Sequence, residues 1–334
     1  MANALLSIKP HEVSKDLRGY SVLLYGTPKS GKTSTAVQFP KHLLLAFEKG
    51  YSAIPGAMVQ PINSWNEFKA TLIDLRDEDV KKTYETIIID TADIAYDYCC
   101  EYVASSYDKA SISEIPYGKG YELVMTEFDK GIRKILQMGY GLVLISHAQE
   151  RTDKDVDGSD IVRLMPTLDK RGRLICERTC DIVGLIKPAR GADGIVRSRM
   201  YMRETPEYQA GSRFKYMVDS IDLSYDNLVK AISDAIEKEE QMTGGKYVTA
   251  TREQVYTEAP KPDDEDDLLA AQEEFKTVAS QLLTKNQANR TKIAAVILQY
   301  LGRDESGAPR KVTETEVKDV PAIRLINKDL GSLL

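Results

Sequence analysis

The chain has 334 residues, 42% apolar and 29% charged, with a net charge of −6. That length accommodates one large domain or two modest ones, with a core that needs no disulfide staples. No apolar run approaches the ~18 residues of a membrane span, and the acidic balance excludes a globally basic nucleic-acid coat while allowing a local basic surface.

Residues 1–19 read as a polar lead-in. They lack the basic region, apolar stretch and cleavage site of a secretory signal. The four cysteines, Cys99, Cys100, Cys176 and Cys180, follow no framework spacing and read as reduced thiols of the cytoplasm. The histidines are His11, His42 and His147, too few and too scattered for a zinc site.

From residue 20, short apolar runs alternate with longer stretches. Tyr20–Tyr25, His42–Phe47, Thr86–Asp90, Gly141–Ser146 and Asp181–Lys187 are apolar at successive positions, as strands buried on both faces of a parallel sheet are. Between the third and fourth, Leu123, Val124, Phe128, Ile132, Ile135 and Leu136 recur at three- and four-residue spacing. That pattern predicts a helix over Tyr121–Met138. Gly194–Arg203 and Ser212–Val218 alternate apolar with basic or polar residues and read as antiparallel edge strands, followed by a helix over Ser224–Glu240. Residues 20–242 are thus expected to form an α/β core: a mostly parallel twisted sheet flanked by helices, with antiparallel edge strands. Residues 243–267 carry Gly244-Gly245, Pro260, Pro262 and the acidic run Asp263–Asp267, a flexible linker by composition. Residues 268–334 are expected to be a small helical region, with helices over Leu268–Leu283, Asn286–Leu301 and Val320–Leu330.

The segment Gly26-Thr27-Pro28-Lys29-Ser30-Gly31-Lys32-Thr33 matches G-x4-G-K-[ST] at every fixed position. A strand runs into it, and Thr33-Ser34 can open a helix. Backbone N–H groups of such a loop curl around an anion. Residues 26–34 are therefore the candidate triphosphate cradle, with Lys32 directed at the β- and γ-phosphates and the Thr33 hydroxyl at Mg²⁺. Three large apolar residues ending in Asp90, 58 positions after Lys32, mark a Mg²⁺-orienting carboxylate at a strand end. Many AAA-type ATPases place a glutamate directly after that aspartate, whereas here Thr91 and Ala92 follow. Glu48, at the end of the second apolar run, is the candidate that aligns water.

With GTPKSGKT, LLLAFEKG, TIIID and LVLISHAQE in hand, the sequence over about 18–220 resembles RecA-like P-loop ATPases. It is most similar to the short phage-encoded RecA-core proteins of recombination and single-strand annealing. The resemblance implies a RecA-like core, ATP and Mg²⁺ as cofactors, and DNA-stimulated hydrolysis at interfaces of a homo-oligomer, ring or filament. It also implies work on single-stranded DNA in the cytoplasm of a phage-infected host, with a single-strand-binding protein as a further partner. It assigns the γ-phosphate sensor to His147, after Ser146. It expects DNA-facing loops within Ser105–Gly120, which holds Tyr107, Lys109, Tyr117 and Lys119, and within Ala148–Lys170. Residues 161–180 hold five Lys/Arg against two acids, and residues 187–215 hold seven against three. From the second stretch the resemblance nominates Arg197, Arg199 and Arg213 as groups reaching a neighbouring subunit's nucleotide, with Lys187 and Lys215 behind them. An AAA-type helicase loader acting on a protein partner is the alternative. A guanine-specific switch is disfavoured, since in Asn327-Lys328-Asp329 the required aspartate position of N-K-x-D is Leu330.

Overall fold

The computed structural model describes residues 13–14, 20–154, 157–191, 193–245, 248–249, 265–304 and 307–333. The chain divides into two compact units, Met1–Glu258 and Ala259–Leu334.

In the first unit, a two-residue strand β1 (Val13–Ser14) pairs in parallel with β12 (Val248–Thr249). The main sheet contains β2 (Ser21–Gly26), β3 (His42–Ala46), β4 (Val59–Pro61), β5 (Thr86–Asp90), β6 (Gly141–Lys154), β8 (Ile182–Arg190), β9 (Val196–Tyr201) and β11 (Ser220–Asp222). Its order is β11-β9-β8-β2-β6-β5-β3-β4. The strands from β8 to β4 run parallel, while β9 and β11 add antiparallel ribbons at one edge. All five apolar runs are strands of this α/β sheet.

Each central strand is buried on both faces. Leu23, Tyr25, Leu45, Ile87, Ile89, Leu142 and Leu144 face one core, covered by α2 (Trp65–Asp74), α4 (Ala92–Ser106), α5 (Lys119–Gln137) and α6 (Lys170–Thr179). Val22, Leu24, Leu44, Ile88, Val143 and Ile145 face the other, under α1 (Lys32–Ala36) and α7 (Tyr225–Thr243). Serine or aspartate caps set several helix starts. Ser64 accepts from the Glu67 N–H, Asp169 from Arg171 and Ser224 from Asn227. A short helix α3 (Glu78–Thr83), capped by Asp77, precedes β5.

The helix expected after the glycine-rich loop is α1, five residues long. Two expectations need correction. Ser212–Val218 is not a strand. Only β10 (Gly211–Ser212) pairs with β8; the Phe214 N–H then turns back onto the Ser212 hydroxyl and Met217 buries, so β11 takes the edge position instead. The segment expected as a polar loop after Ala148 is mostly a hairpin. β6 runs on past the sheet to Lys154 and pairs antiparallel with β7 (Asp160–Pro166). Cross-strand contacts stabilise this arm, including a Lys154–Asp160 ion pair at 2.6 Å. Most of 243–267, including Asp263 and Asp264 of the acidic run, lies outside the described residues.

The second unit packs α8 (Glu265–Lys285), α9 (Asn289–Leu301) and α10 (Val320–Gly331) around Leu282, Ile293, Leu301, Ile323, Ile326 and Leu330. Asn327 is buried there and donates to the Ala271 carbonyl at 2.9 Å, while Asp329 accepts from the Tyr300 hydroxyl at 2.6 Å. The residues that resemble a guanine reader therefore hold helices together.

Candidate functional site

Strand order explains why residues far apart in sequence meet. β2 lies between β6 and β8, so Gly26 sits opposite His147 on one side and Ile186 on the other. A Cβ at Gly26 would come within 2.2 Å of the Ile186 carbonyl oxygen, so this position admits only glycine. β5 lies between β6 and β3, which aligns Asp90 with Ile145 and Ala46. The Phe47 and Glu48 N–H groups both donate to the Asp90 carbonyl, at 2.7 and 3.3 Å, and bring Glu48 beside Asp90. Every one of these positions lies at the carboxyl end of a parallel strand, where open α/β sheets place ligands.

The loop after Gly26 folds as a concave turn. Lys29 (φ 63°) and Gly31 (φ 97°) both adopt left-handed backbone, the alternation that aims successive N–H groups into one concavity. Lys32 is buried, and its Nζ donates to the carbonyls of Gly26 at 3.0 Å and Thr27 at 2.9 Å. Burial lowers its pKa, against the opposing pull of Asp90, Glu48 and Asp93.

Mg²⁺ bound to a nucleotide needs hard oxygen donors. The Thr33 hydroxyl donates to Asp90 Oδ2 at 2.8 Å, which leaves its lone pairs available. Asp90 Oδ1 is buried without a hydrogen-bond partner among the described residues, as is the Ser30 hydroxyl. A buried carboxylate oxygen with no donor fits a cation ligand, so Thr33 and Asp90 suit the metal assigned to them. Burial pushes the Asp90 carboxyl up to about 6. Glu48 adds to that push, and Thr33, Lys32 and His147 oppose it.

The raised pKa has a consequence for stability. The unfolded chain ionises Asp90 near its ordinary pKa, so the nucleotide-free fold loses stability as pH rises from about 4 through about 6. The cost is complete above that window and reaches up to about 3 kcal/mol. Asp90→Asn removes it. The variant is expected to melt above wild type at pH 7–8 without nucleotide, with the gap closing toward pH 4, and to lose Mg²⁺-dependent turnover. Thermal melts across this pH range test the expectation; a gap independent of pH would refute it.

Glu48 and His147 face each other, with Nε2 3.6 Å from Oε2 and both side chains about one-third exposed. A Cβ at Gly50 would lie within 4 Å of both the Glu48 and Asp90 carboxylates, so the two flank one small space. Asp93 is a site residue that sequence reading left without a role. Its carboxylate accepts from the Ser146 hydroxyl at 2.9 Å and the His147 N–H at 3.3 Å, pinning the end of β6 where the proposed sensor sits. Its only sequence signal is an acid in the first turn of a helix after Asp90.

The three arginines are not gathered around Lys32. Arg197 pairs with Asp193 at 2.6 Å, and Arg199 with Asp222 at 3.2 Å; both line a cleft of about 290 Å³ beside the carboxyl end of β8. Arg213 lies at the opposite edge of the sheet, paired with Asp181 at 3.1 Å next to the start of β2. Lys187 lies over the Tyr201 and Tyr208 rings, and Lys215 over Tyr216. At the start of the Ser105–Gly120 segment, Ser105 and Ser106 share a cleft with Ser64 and Trp65, which follow the carboxyl end of β4. Tyr117 is fully exposed in left-handed backbone, and Tyr107 is 44% exposed.

A family model described as an AAA domain matches residues 18–214. The SPbeta prophage-derived uncharacterized protein YorG of Bacillus subtilis (strain 168) is 32% identical over 329 residues, covering 96% of each chain. A solved KaiC-like protein from Pyrococcus horikoshii OT3 is 13% identical, over 56% of this chain and 80% of that one, with a TM-score of 0.33.

Proposed function

The chain belongs to the AAA domain family, and on that premise we propose that it binds ATP with Mg²⁺ and hydrolyses it to ADP and phosphate in support of work on single-stranded DNA. The observation that carries the hydrolytic part is the convergence of Lys32, Thr33, Asp90, Glu48 and His147 at the carboxyl ends of adjacent strands.

Each residue has a distinct task. Residues 26–34 cradle the phosphates, and Thr33 and Asp90 would hold the metal, which when bound would supply charge neutralisation on the phosphate oxygens. Glu48 takes a proton from water as its oxygen bonds to the γ-phosphorus, while the bond to the β-bridging oxygen breaks and ADP leaves. Lys32 abandons the Gly26 and Thr27 carbonyls for the phosphate oxygens and stabilises the charge that develops there. His147 contacts Glu48 from the strand that leads into the β6–β7 arm, a route by which ligands on that arm bias the proton-accepting carboxylate.

The DNA part is supported by the resemblance to phage recombination ATPases, by the prophage origin of the relative in Bacillus subtilis and by the exposed rings of Tyr107 and Tyr117. Stacking on such rings contributes about 1–3 kcal/mol per base. Assembly as a homo-oligomer, with Arg197 and Arg199 directed at a neighbour's triphosphate, is part of the same proposal, as is cooperation with a single-strand-binding protein.

Phosphate release from ATP, measured with and without an oligothymidylate, tests the reading. Release should rise with the single strand, and affinity should fall steeply with salt, about 0.7 log units per tenfold salt for each phosphate contacted. Hydrolysis with no response to DNA or salt would move the assignment to the helicase-loader class. No hydrolysis at all would remove the core of it.

A further inference from the structure

Helix α4 opens directly after Asp90, and its first turn is not spent on the helix itself. The N-cap residue, Thr91, makes no side-chain bond to the helix. Asp93, in that first turn, is placed to serve the free N–H groups at a helix start. Its two oxygens go to another element instead. Oδ1 accepts from the Ser146 hydroxyl at 2.9 Å, and Oδ2 accepts from the His147 N–H at 3.3 Å, both on β6.

The strand is held there from two sides. Ser146 is fully buried, so its hydroxyl depends on protein acceptors. The His147 carbonyl accepts from the Thr167 N–H at 2.9 Å, in the segment that follows β7. The backbone of His147 is therefore clamped between α4 and the approach to α6.

The clamp bears on the chemistry through the imidazole. His147 Nε2 lies 3.6 Å from Glu48 Oε2. A functional histidine ring is commonly oriented by a hydrogen bond from its second nitrogen. Here Nδ1 is buried without a hydrogen-bond partner among the described residues. The ring is thus aimed by the backbone that carries it, and Asp93 holds that backbone. The phosphate cradle is bonded separately: Lys32 donates to the Gly26 and Thr27 carbonyls, and Thr33 donates to Asp90.

We propose that Asp93 is a positioning residue for hydrolysis. By fixing the end of β6 it sets the His147 imidazole against Glu48, and with it the place of the carboxylate that accepts the proton of water. The inference rests on the hydrolytic reading above and adds to it a residue from α4.

The test uses the full chain. Asp93→Asn keeps the shape but turns one acceptor into a donor, so one of the two groups on β6 loses its partner. Its kcat should fall about tenfold, inside the ~10²-fold that a 1 Å misplacement brings, while affinity for a fluorescent ATP analogue stays within about twofold. The loss should also depend on the ring. In a His147→Ala background the same substitution should cost less than about threefold, because residues that act through one contact are not additive. Ser146→Ala removes a donor from the same carboxylate without changing charge, and serves if Asp93→Asn melts too low to assay. It should lower kcat in the same way and lose its effect beside His147→Ala. Wild-type kcat in both folded variants would overturn the proposal. So would kcat and ATP affinity falling together, or equal losses with and without the imidazole. A wild type that hydrolyses no ATP would remove the hydrolytic reading and this one together, whereas an active wild type with unaffected variants removes this one alone.

Discussion

Lys32→Ala is expected to cut ATP turnover by about a thousandfold or more while leaving the fold intact. Removing a single preorganised donor from a transition-state site typically costs 10²–10³ in kcat. Lys32 carries a full charge and is buried in the loop, so the loss belongs at the upper end or beyond it. The fold should tolerate the change because, among the described residues, the ammonium bonds only loop carbonyls, those of Gly26 and Thr27. Those carbonyls lose a donor, but the protein no longer has to keep a partly desolvated charge whose pKa burial has already lowered. Lys32→Arg should not restore activity, because the planar guanidinium presents its charge on a wider fork than this turn admits. Phosphate release at saturating ATP, with a melting curve for each variant, gives the comparison. Turnover near wild type in a folded Lys32→Ala protein would end the assignment of this loop to the triphosphate.

The strands were more legible in the sequence than the helices, and for a physical reason. A strand buried on both faces is apolar at every position, so Thr86–Asp90 and Gly141–Ser146 could be read directly. α4 could not. Its buried Ala95, Tyr96, Cys99 and Val103 have helical spacing, but tyrosines and adjacent cysteines are indifferent helix formers. The β6–β7 arm escaped because its residues alternate weakly, and its pairing is specified by a partner strand rather than by local pattern. The nucleotide loop was legible because its chemistry lies in eight consecutive residues. The contact of Glu48 with His147 needs the strand order β2-β6-β5-β3, which no local pattern encodes. Asp93 escaped for the same reason, since its task appears only once Ser146 and His147 lie beside it.

Glu48→Gln is the substitution expected to separate binding from chemistry. The amide is nearly isosteric with the carboxylate and keeps an oxygen on the same small space beside Gly50. Nothing in the phosphate cradle or the Thr33–Asp90 pair depends on Glu48 for a hydrogen bond, so affinity for ATP should hold or improve. Affinity improves if the like charge on Asp90 is relieved, because Glu48 is one of the groups pushing that carboxyl up. The amide cannot accept the proton of an attacking water, so kcat should fall by about 10²–10⁴, the usual worth of a general base. His147→Ala should lower kcat by less, since the imidazole contacts the Glu48 carboxylate, which itself takes the proton. A fluorescent ATP analogue reports binding and phosphate release reports turnover. A variant that binds and turns over like wild type would leave Glu48 a structural residue and require another proton acceptor. A variant that fails to bind would place it in the cradle instead of on the water.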